Sequence, residues 1–176
     1  MIRDLSHTRY SFSRAEYVNP LIIADLSGWL SDSGEQVIAV NVSGANDSNR
    51  YFADEIAVSD DSPNPVVTAN RGDSSFSYEY LGRSLSGVHL LQTWESGGGS
   101  GVFCRILLVT LSTEPAVQIG LSGIERDLRF VVKMVASIPL GDRYEGRISY
   151  RLGILTIGPC EGRATARARK QRLLIL

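Results

Sequence analysis

Apolar and polar residues alternate along most of this chain, and turn-forming residues separate the alternating stretches. The clearest stretch covers residues 147–157, where one side carries Ile148, Tyr150, Leu152 and Ile154. Successive side chains of a β-strand point to opposite faces of the sheet, so this alternation is typical of a half-buried strand. The pattern therefore predicts a β-rich domain.

The same reasoning predicts strands, each bounded by turn residues, at 9–14, 36–42, 51–58, 66–69, 75–80, 88–94, 101–112 and 147–157. Residues 101–112 are apolar on both sides, which predicts a central strand covered above and below. Arg105 interrupts this stretch and must be paired or lie near an edge, because an unpaired buried charge is strongly destabilising.

Residues 128–138 fit a helical stripe as well as a strand. Their β-branched content and the predicted turn Pro139–Asp142 favour one strand of a hairpin. We therefore expect an all-β fold, an antiparallel β-sandwich or a jelly-roll-like barrel of about eight to ten strands.

The chain has 176 residues, 43% of them hydrophobic and 21% charged, and we expect one domain over residues 1–176. Its last segment, 163–176, is basic and then apolar, which predicts a docked strand or a short helix. The net charge of −1 creates no overall attraction to nucleic acid or to a membrane, so neither is an expected partner. The first residues lack the apolar centre of a signal peptide, so the cytoplasm is the expected location.

The two cysteines, Cys104 and Cys160, fit no zinc-binding or dithiol spacing. Cys104 lies among apolar residues, which predicts a buried, reduced thiol. A disulfide between the two cysteines is the alternative if their strands are neighbours. The acidic residues cluster in turns, where Asp and Asn bond to nearby backbone, so we predict neither a metal nor a cofactor.

A glycine-rich loop is the most distinctive local feature. Glycine-rich backbone can bring several N–H groups close to a ligand, but the lysine and helix of a phosphate-binding loop are missing. A tryptophan beside such a loop is a platform on which sugar rings stack. The predicted contact residues are Trp94, Ser96, Gly97, Gly98, Gly99, Ser100 and Gly101, flanked by Asn46 and Asn49. The alternative is a flexible β-connection whose glycines adopt positive φ.

Three functions fit this sequence. The first is a non-enzymatic binding module that recognises a polar ligand such as a carbohydrate through the glycine-rich loop. The second is a structural, self-assembling or protein-interaction subunit that binds through an edge strand or the apolar end Leu173–Leu176. The third is a hydrolase in which His89 and a carboxylate activate Ser96 or Ser100, although no sequence feature places a carboxylate behind His89. The tripeptide Arg71–Asp73 is expected to be a tight turn.

Overall fold

The computed structural model describes residues 12, 17–27, 37–42, 51, 55–59, 64–120, 123–160 and 169–176, except for the side chains of residues 118 and 120. Within these ranges the chain forms one helix, α1 (Pro20–Ser27), and ten strands. The strands are β1 (Ala39–Asn41), β2 (Glu55–Ser59), β3 (Val66–Arg71), β4 (Ser74–Arg83), β5 (His89–Ser96), β6 (Phe103–Gly120), β7 (Gly123–Asp142), β8 (Ile148–Arg151), β9 (Ile154–Ile157) and β10 (Gln171–Leu174).

The strands form two antiparallel sheets. The larger sheet has seven strands in the order β1-β7-β6-β5-β4-β3-β2, and the smaller has the order β10-β9-β8. Consecutive strands are mostly neighbours, as expected for hairpin connections. The prediction of an all-β fold is confirmed.

A cluster of buried side chains lies on each face of the larger sheet. On the first face, α1 packs over residues that include Leu91 and Leu107. On the second face, Ile106 packs with Leu155 and Ile157 of the smaller sheet. Strand β6 contributes to both clusters from the interior of the sheet, which confirms the prediction of a central strand there.

Helix α1 lies in an apolar stretch to which sequence reasoning assigned no element. The side chain of Asn19 caps its start, because Oδ1 accepts the backbone N–H of Leu21 at 2.9 Å. Pro20 occupies the first helical position, where a missing N–H has no cost. At the other end, Nη1 of Arg105 donates to the carbonyl of Ser27 at 2.5 Å. The carbonyl of Ser27 is thus the partner that the sequence analysis expected Arg105 to need. The contact also places a cation at the C-terminus of the helix, where it interacts favourably with the helix dipole.

The prediction of a single strand over residues 147–157 is wrong. Strand β8 ends at Arg151 and pairs there with Ile154, the first residue of β9. Leu152 and Gly153 form the two-residue turn between them, with φ of 48° and 79°. Positive φ at both turn positions matches the twist of a tight hairpin.

The predicted turn over Pro139–Asp142 is also wrong, because β7 continues through it. Pro139 and Gly141 pair with successive residues of β6, which leaves Leu140 as the extra residue of a β-bulge. The bulge directs Leu140 into the second cluster, where it is buried. The strand interpretation of residues 128–138 is confirmed.

Both cysteines are buried in the second cluster as free thiols. The prediction of a reduced Cys104 is therefore confirmed, and the alternative of a disulfide to Cys160 is wrong. Burial raises the pKa of the Cys104 thiol, which keeps it protonated.

Residues 171–174 form the edge strand β10, which pairs with β9. Most of the strand predicted at 9–14 lies outside the described residues. No helix within the described ranges is long and apolar enough to cross a membrane.

Candidate functional site

The glycine-rich loop runs beside the turn between β3 and β4. Gly98 has a φ of 85°, and a Cβ atom there would lie only 3.0 Å from the Cβ of Asp73. Gly98 therefore permits both the backbone conformation and the close approach of the two turns. Gly72 and Asp73 connect β3 and β4 directly, so the predicted tight turn over Arg71–Asp73 is confirmed.

The two ends of the loop differ in their surroundings. The residues from Gly97 to Ser100 are exposed. At the far end, the backbone N–H of Val102 donates to Oδ1 of Asp142 at 2.7 Å, and a guanidinium N–H of Arg143 donates to the carbonyl of Ser100. The loop is thus fixed where it enters β6 and open at its tip.

Trp94 lies on the opposite face of the sheet from the next residue, Glu95. The Trp94 side chain packs against the second cluster, on the face of the sheet that the smaller sheet covers. Alternation along β5 places Glu95 on the opposite face. Trp94 is not among the residues that line the cleft bordered by Ser96 and Gly97, with which sequence reasoning had grouped it, and Asn46 and Asn49 lie outside the described residues.

Ser96 and Gly97 border a cleft of about 370 Å³ between α1 and the ends of β3, β4 and β5. The described residues that line it are Leu21, Ala24, Asp25, Tyr51, Ala69, Arg71, Ser74, Ser75, Phe76, Glu95, Ser96 and Gly97. Sequence reasoning missed Asp25 and Glu95. The i, i+4 spacing of Leu21 and Asp25 would have placed both on one side of a helix, had α1 been predicted.

His89 and Ser96 lie at opposite ends of β5. At about 3.3 Å per residue, they are separated by roughly 23 Å. His89 instead contacts aromatic rings, with ring centroids 5.2 Å from Phe12 and 5.9 Å from Tyr80. Burial, together with the nearby charge of Arg83, lowers the pKa of His89 to about 4. The structure thus does not bring His89 to Ser96, and Ser100, in the loop that follows β5, lies at the same distant end of the strand.

No group of three His, Cys, Asp or Glu side chains within the described ranges is arranged to hold a metal ion.

The hairpin of β6 and β7 extends well beyond the rest of the sheet. The pairing of β5 with β6 ends at Val109, and β1 pairs with β7 only over residues 131–133. Among the described residues, no third strand pairs with 110–120 or 123–130, which we call the arm. Its longer strand spans roughly 33 Å at about 3.3 Å per residue.

One face of the arm is apolar and exposed. The register pairs Ile119 with Ile124, Val117 with Arg126, and Pro115 with Leu128. These residues continue the face on which Leu111 and Phe130 pack against the first cluster. Towards the tip that packing ends: the exposed fractions are 57% for Val117, 81% for Ile119 and 74% for Ile124. An open, mostly apolar depression of about 570 Å³ occupies the middle of the arm, around residues 115–117 and 126–128.

The opposite face of the arm is polar. Alternation assigns Glu114, Glu125, Asp127 and Arg129 to it. At its base, Nζ of Lys133 lies 2.5 Å from Oε1 of Glu114, and this hydrogen bond lowers the pKa of Glu114. The arm is therefore an amphipathic two-stranded ribbon.

Comparison of the chain with family models, with curated proteins and with solved structures finds no significant match. The geometry of the arm and the cleft is thus the basis for assigning a function.

Proposed function

We propose that this protein is an assembly subunit, and that the arm packs its apolar face against the same face of a second copy. The observation that carries the proposal is the exposure of Val117, Ile119 and Ile124 on a ribbon that has no third strand among the described residues. A two-stranded hairpin is at best marginally stable in water, and an amphipathic sheet is stabilised by burying its apolar face against another layer.

The charges of the arm favour a second copy over an anionic surface. The arm contains the three acidic residues Glu114, Glu125 and Asp127 and the two basic residues Arg126 and Arg129, so its net charge is −1. A single net negative charge causes little repulsion between copies, and it gives no net attraction to a negatively charged membrane or to nucleic acid.

The area available suits a weak, reversible dimer. With strands about 4.8 Å apart, the exposed part of the apolar face, from Thr113 to Ile119, measures roughly 20 Å by roughly 10 Å, so two such faces together cover roughly 400 Å². That area lies below the roughly 1,000 Å² of a stable specific interface, so we expect a weak dimer with a dissociation constant of about 100 μM.

The test is sedimentation equilibrium of the wild type and of the double variant Ile119→Thr/Ile124→Thr. Threonine is β-branched like isoleucine, so the strands should persist while apolar surface is removed. If each substitution removes about 1 kcal/mol of favourable burial free energy, the four changed side chains of a symmetric dimer weaken dimerisation by about 4 kcal/mol. The dissociation constant should then rise roughly a thousandfold. Glu125→Thr is the matched control, because it introduces the same residue on the polar face and should leave the dimer intact.

Three results would contradict the proposal. The wild type could remain a monomer at concentrations of about 1 mM, tenfold above the expected dissociation constant. The double variant could dimerise as strongly as the wild type, or Glu125→Thr could weaken the dimer equally. A monomeric wild type that co-sediments with phosphatidylcholine vesicles would assign the apolar face to a lipid surface instead.

A further inference from the structure

The cleft beside α1 is independent of the arm and has the composition of a ligand site. Its volume of about 370 Å³ lies at the lower end of the range of small-molecule pockets. Leu21 and Ala24 contribute partly exposed apolar surface, while polar and charged side chains surround it. Pockets of this kind bind the apolar faces of a ligand and fix its orientation with a few polar groups.

Hydrogen bonds hold one wall of the cleft in place without a ligand. The hydroxyl of Tyr51 donates to Oδ2 of Asp25 at 2.9 Å, and the side chain of Asn19 donates to the backbone carbonyl of Tyr51 at 3.0 Å. The same Asn19 caps α1, the helix that carries Asp25. The carboxylate is thus positioned by a chain of contacts that starts at the helix cap, which is the preorganisation expected of a binding site.

The charges of the cleft select against anions. Asp25 and Glu95 carry two negative charges and Arg71 carries one positive charge, so the charged residues of the described lining sum to −1. Hydroxyl groups of the serines at the rim can donate and accept hydrogen bonds. One of them, on Ser74, donates to the carbonyl of Arg71 at 2.8 Å and retains its lone pairs.

We propose that this cleft binds a neutral or amino-bearing polyhydroxylated molecule of about the size of a monosaccharide or disaccharide. Asp25 and Glu95 accept hydrogen bonds from ligand hydroxyl or ammonium groups, and Arg71 donates to ligand oxygens. The apolar side chains of Leu21 and Ala24 face the C–H groups of the ring. Trp94 takes no part, and of the glycine-rich loop Ser96 and Gly97 are the participants.

The experiment follows backbone amide resonances of the ¹⁵N-labelled protein during titration with glucose, glucosamine and maltose, with glucuronate as the anionic comparison. At least one of the first three should shift amides of residues 71–76 and 95–97 with a dissociation constant of about 1–10 mM, and glucuronate should bind more weakly. Asp25→Asn should weaken binding by about tenfold. Asp73→Asn is the matched control, because it is the same change on the neighbouring turn, at a residue that does not line the cleft.

The proposal fails if none of the three sugars shifts these amides at about 50 mM, well above the expected dissociation constants. It also fails if glucuronate binds most tightly, or if Asp25→Asn and Asp73→Asn reduce affinity equally. The titration can be repeated in the Ile119→Thr/Ile124→Thr variant, whose changes lie on the arm, so its result does not depend on whether the protein dimerises.

Discussion

The hydroxyl of Tyr78 ties the segment before α1 to the sheet, and its removal should destabilise the protein measurably. Tyr78 is 1% exposed, and its hydroxyl donates to the backbone carbonyl of Val18 at 2.7 Å. Burial raises the pKa of Tyr78, so the hydroxyl remains a donor at any pH at which the protein is handled. Tyr78→Phe removes this donor and retains the ring, including its edge-to-face contact with Phe12.

The expected loss has two parts. The hydrogen bond itself has a net value of about 1 kcal/mol, and a buried carbonyl left without a donor costs about 1–3 kcal/mol. Because Val18 has no exposed surface, water cannot readily replace the donor. We therefore expect Tyr78→Phe to lower the free energy of unfolding by about 2 kcal/mol.

Urea denaturation measures this difference. With a slope of about 2 kcal/mol per molar urea, the midpoint should fall by about 1 M, and the melting temperature should fall by about 4–8 °C. Tyr80→Phe is the control, because Tyr80 is only half-buried and its ring stacks on Phe12 through contacts that phenylalanine keeps. That variant should lie within about 0.5 kcal/mol of the wild type.

Amide hydrogen exchange gives a second measurement of the same effect. Protection of α1 should fall more than protection of β9, because the lost bond holds the segment next to the helix. Equal unfolding free energies for Tyr78→Phe and Tyr80→Phe would refute the reasoning. They would mean that the carbonyl of Val18 is satisfied without Tyr78.

Two further predictions concern a strained turn and a buried histidine. Leu152→Asn should stabilise the protein by about 1 kcal/mol in urea denaturation, because Asn adopts positive φ more readily and the 99% exposed Leu152 loses no burial. Leu85→Asn, at an exposed residue without positive φ, should have no effect. The pKa of His89 is about 4 in the folded protein and about 6.5 in the unfolded chain, so the unfolded chain takes up the proton first as the pH falls. Its contribution to stability is complete above about pH 6.5 and is lost as the pH falls to about 4, by roughly 1–2 kcal/mol after allowing for solvent screening. His89→Phe should remove this part of the pH dependence, and an unchanged difference between pH 7 and pH 4 would contradict the assignment.

The alternating pattern predicted the fold class because it reports which side chains are buried. It gave the wrong number of strands over residues 147–157, where the alternation was interpreted as one strand but contains β8, a turn and β9. Across the turn at Leu152 and Gly153, the buried side changes from even to odd positions: Tyr150 pairs with Leu155, and Ile148 pairs with Ile157. Because the buried side changes at this turn, two adjacent residues, Ile154 and Leu155, are both apolar. The sequence carried that signal, but a two-residue turn without Asn or Asp gave no other indication of a hairpin.

The candidate cleft was predictable only in part. Ser96 and Gly97 are contiguous in sequence, so composition alone identified their loop. Asp25 and Arg71 are brought to the same cleft by the docking of α1 on the sheet. Such a long-range arrangement has no local pattern, and the helix that creates it was itself hidden in a short apolar stretch.

The arm shows what an alternating pattern leaves undetermined. Sequence reasoning ended the central strand at Ser112, yet the strand continues through Pro115 to Gly120. Proline is compatible with β6 there because the neighbouring strand β5 begins at His89, opposite Val109, so no described strand pairs with β6 on that side of Pro115. Because β5 does not extend beside the arm, the arm consists of two strands only among the described residues. An exposed apolar face on a two-stranded ribbon is unfavourable in water. The length mismatch between β5 and the β6–β7 hairpin is therefore the feature on which the proposed self-association depends.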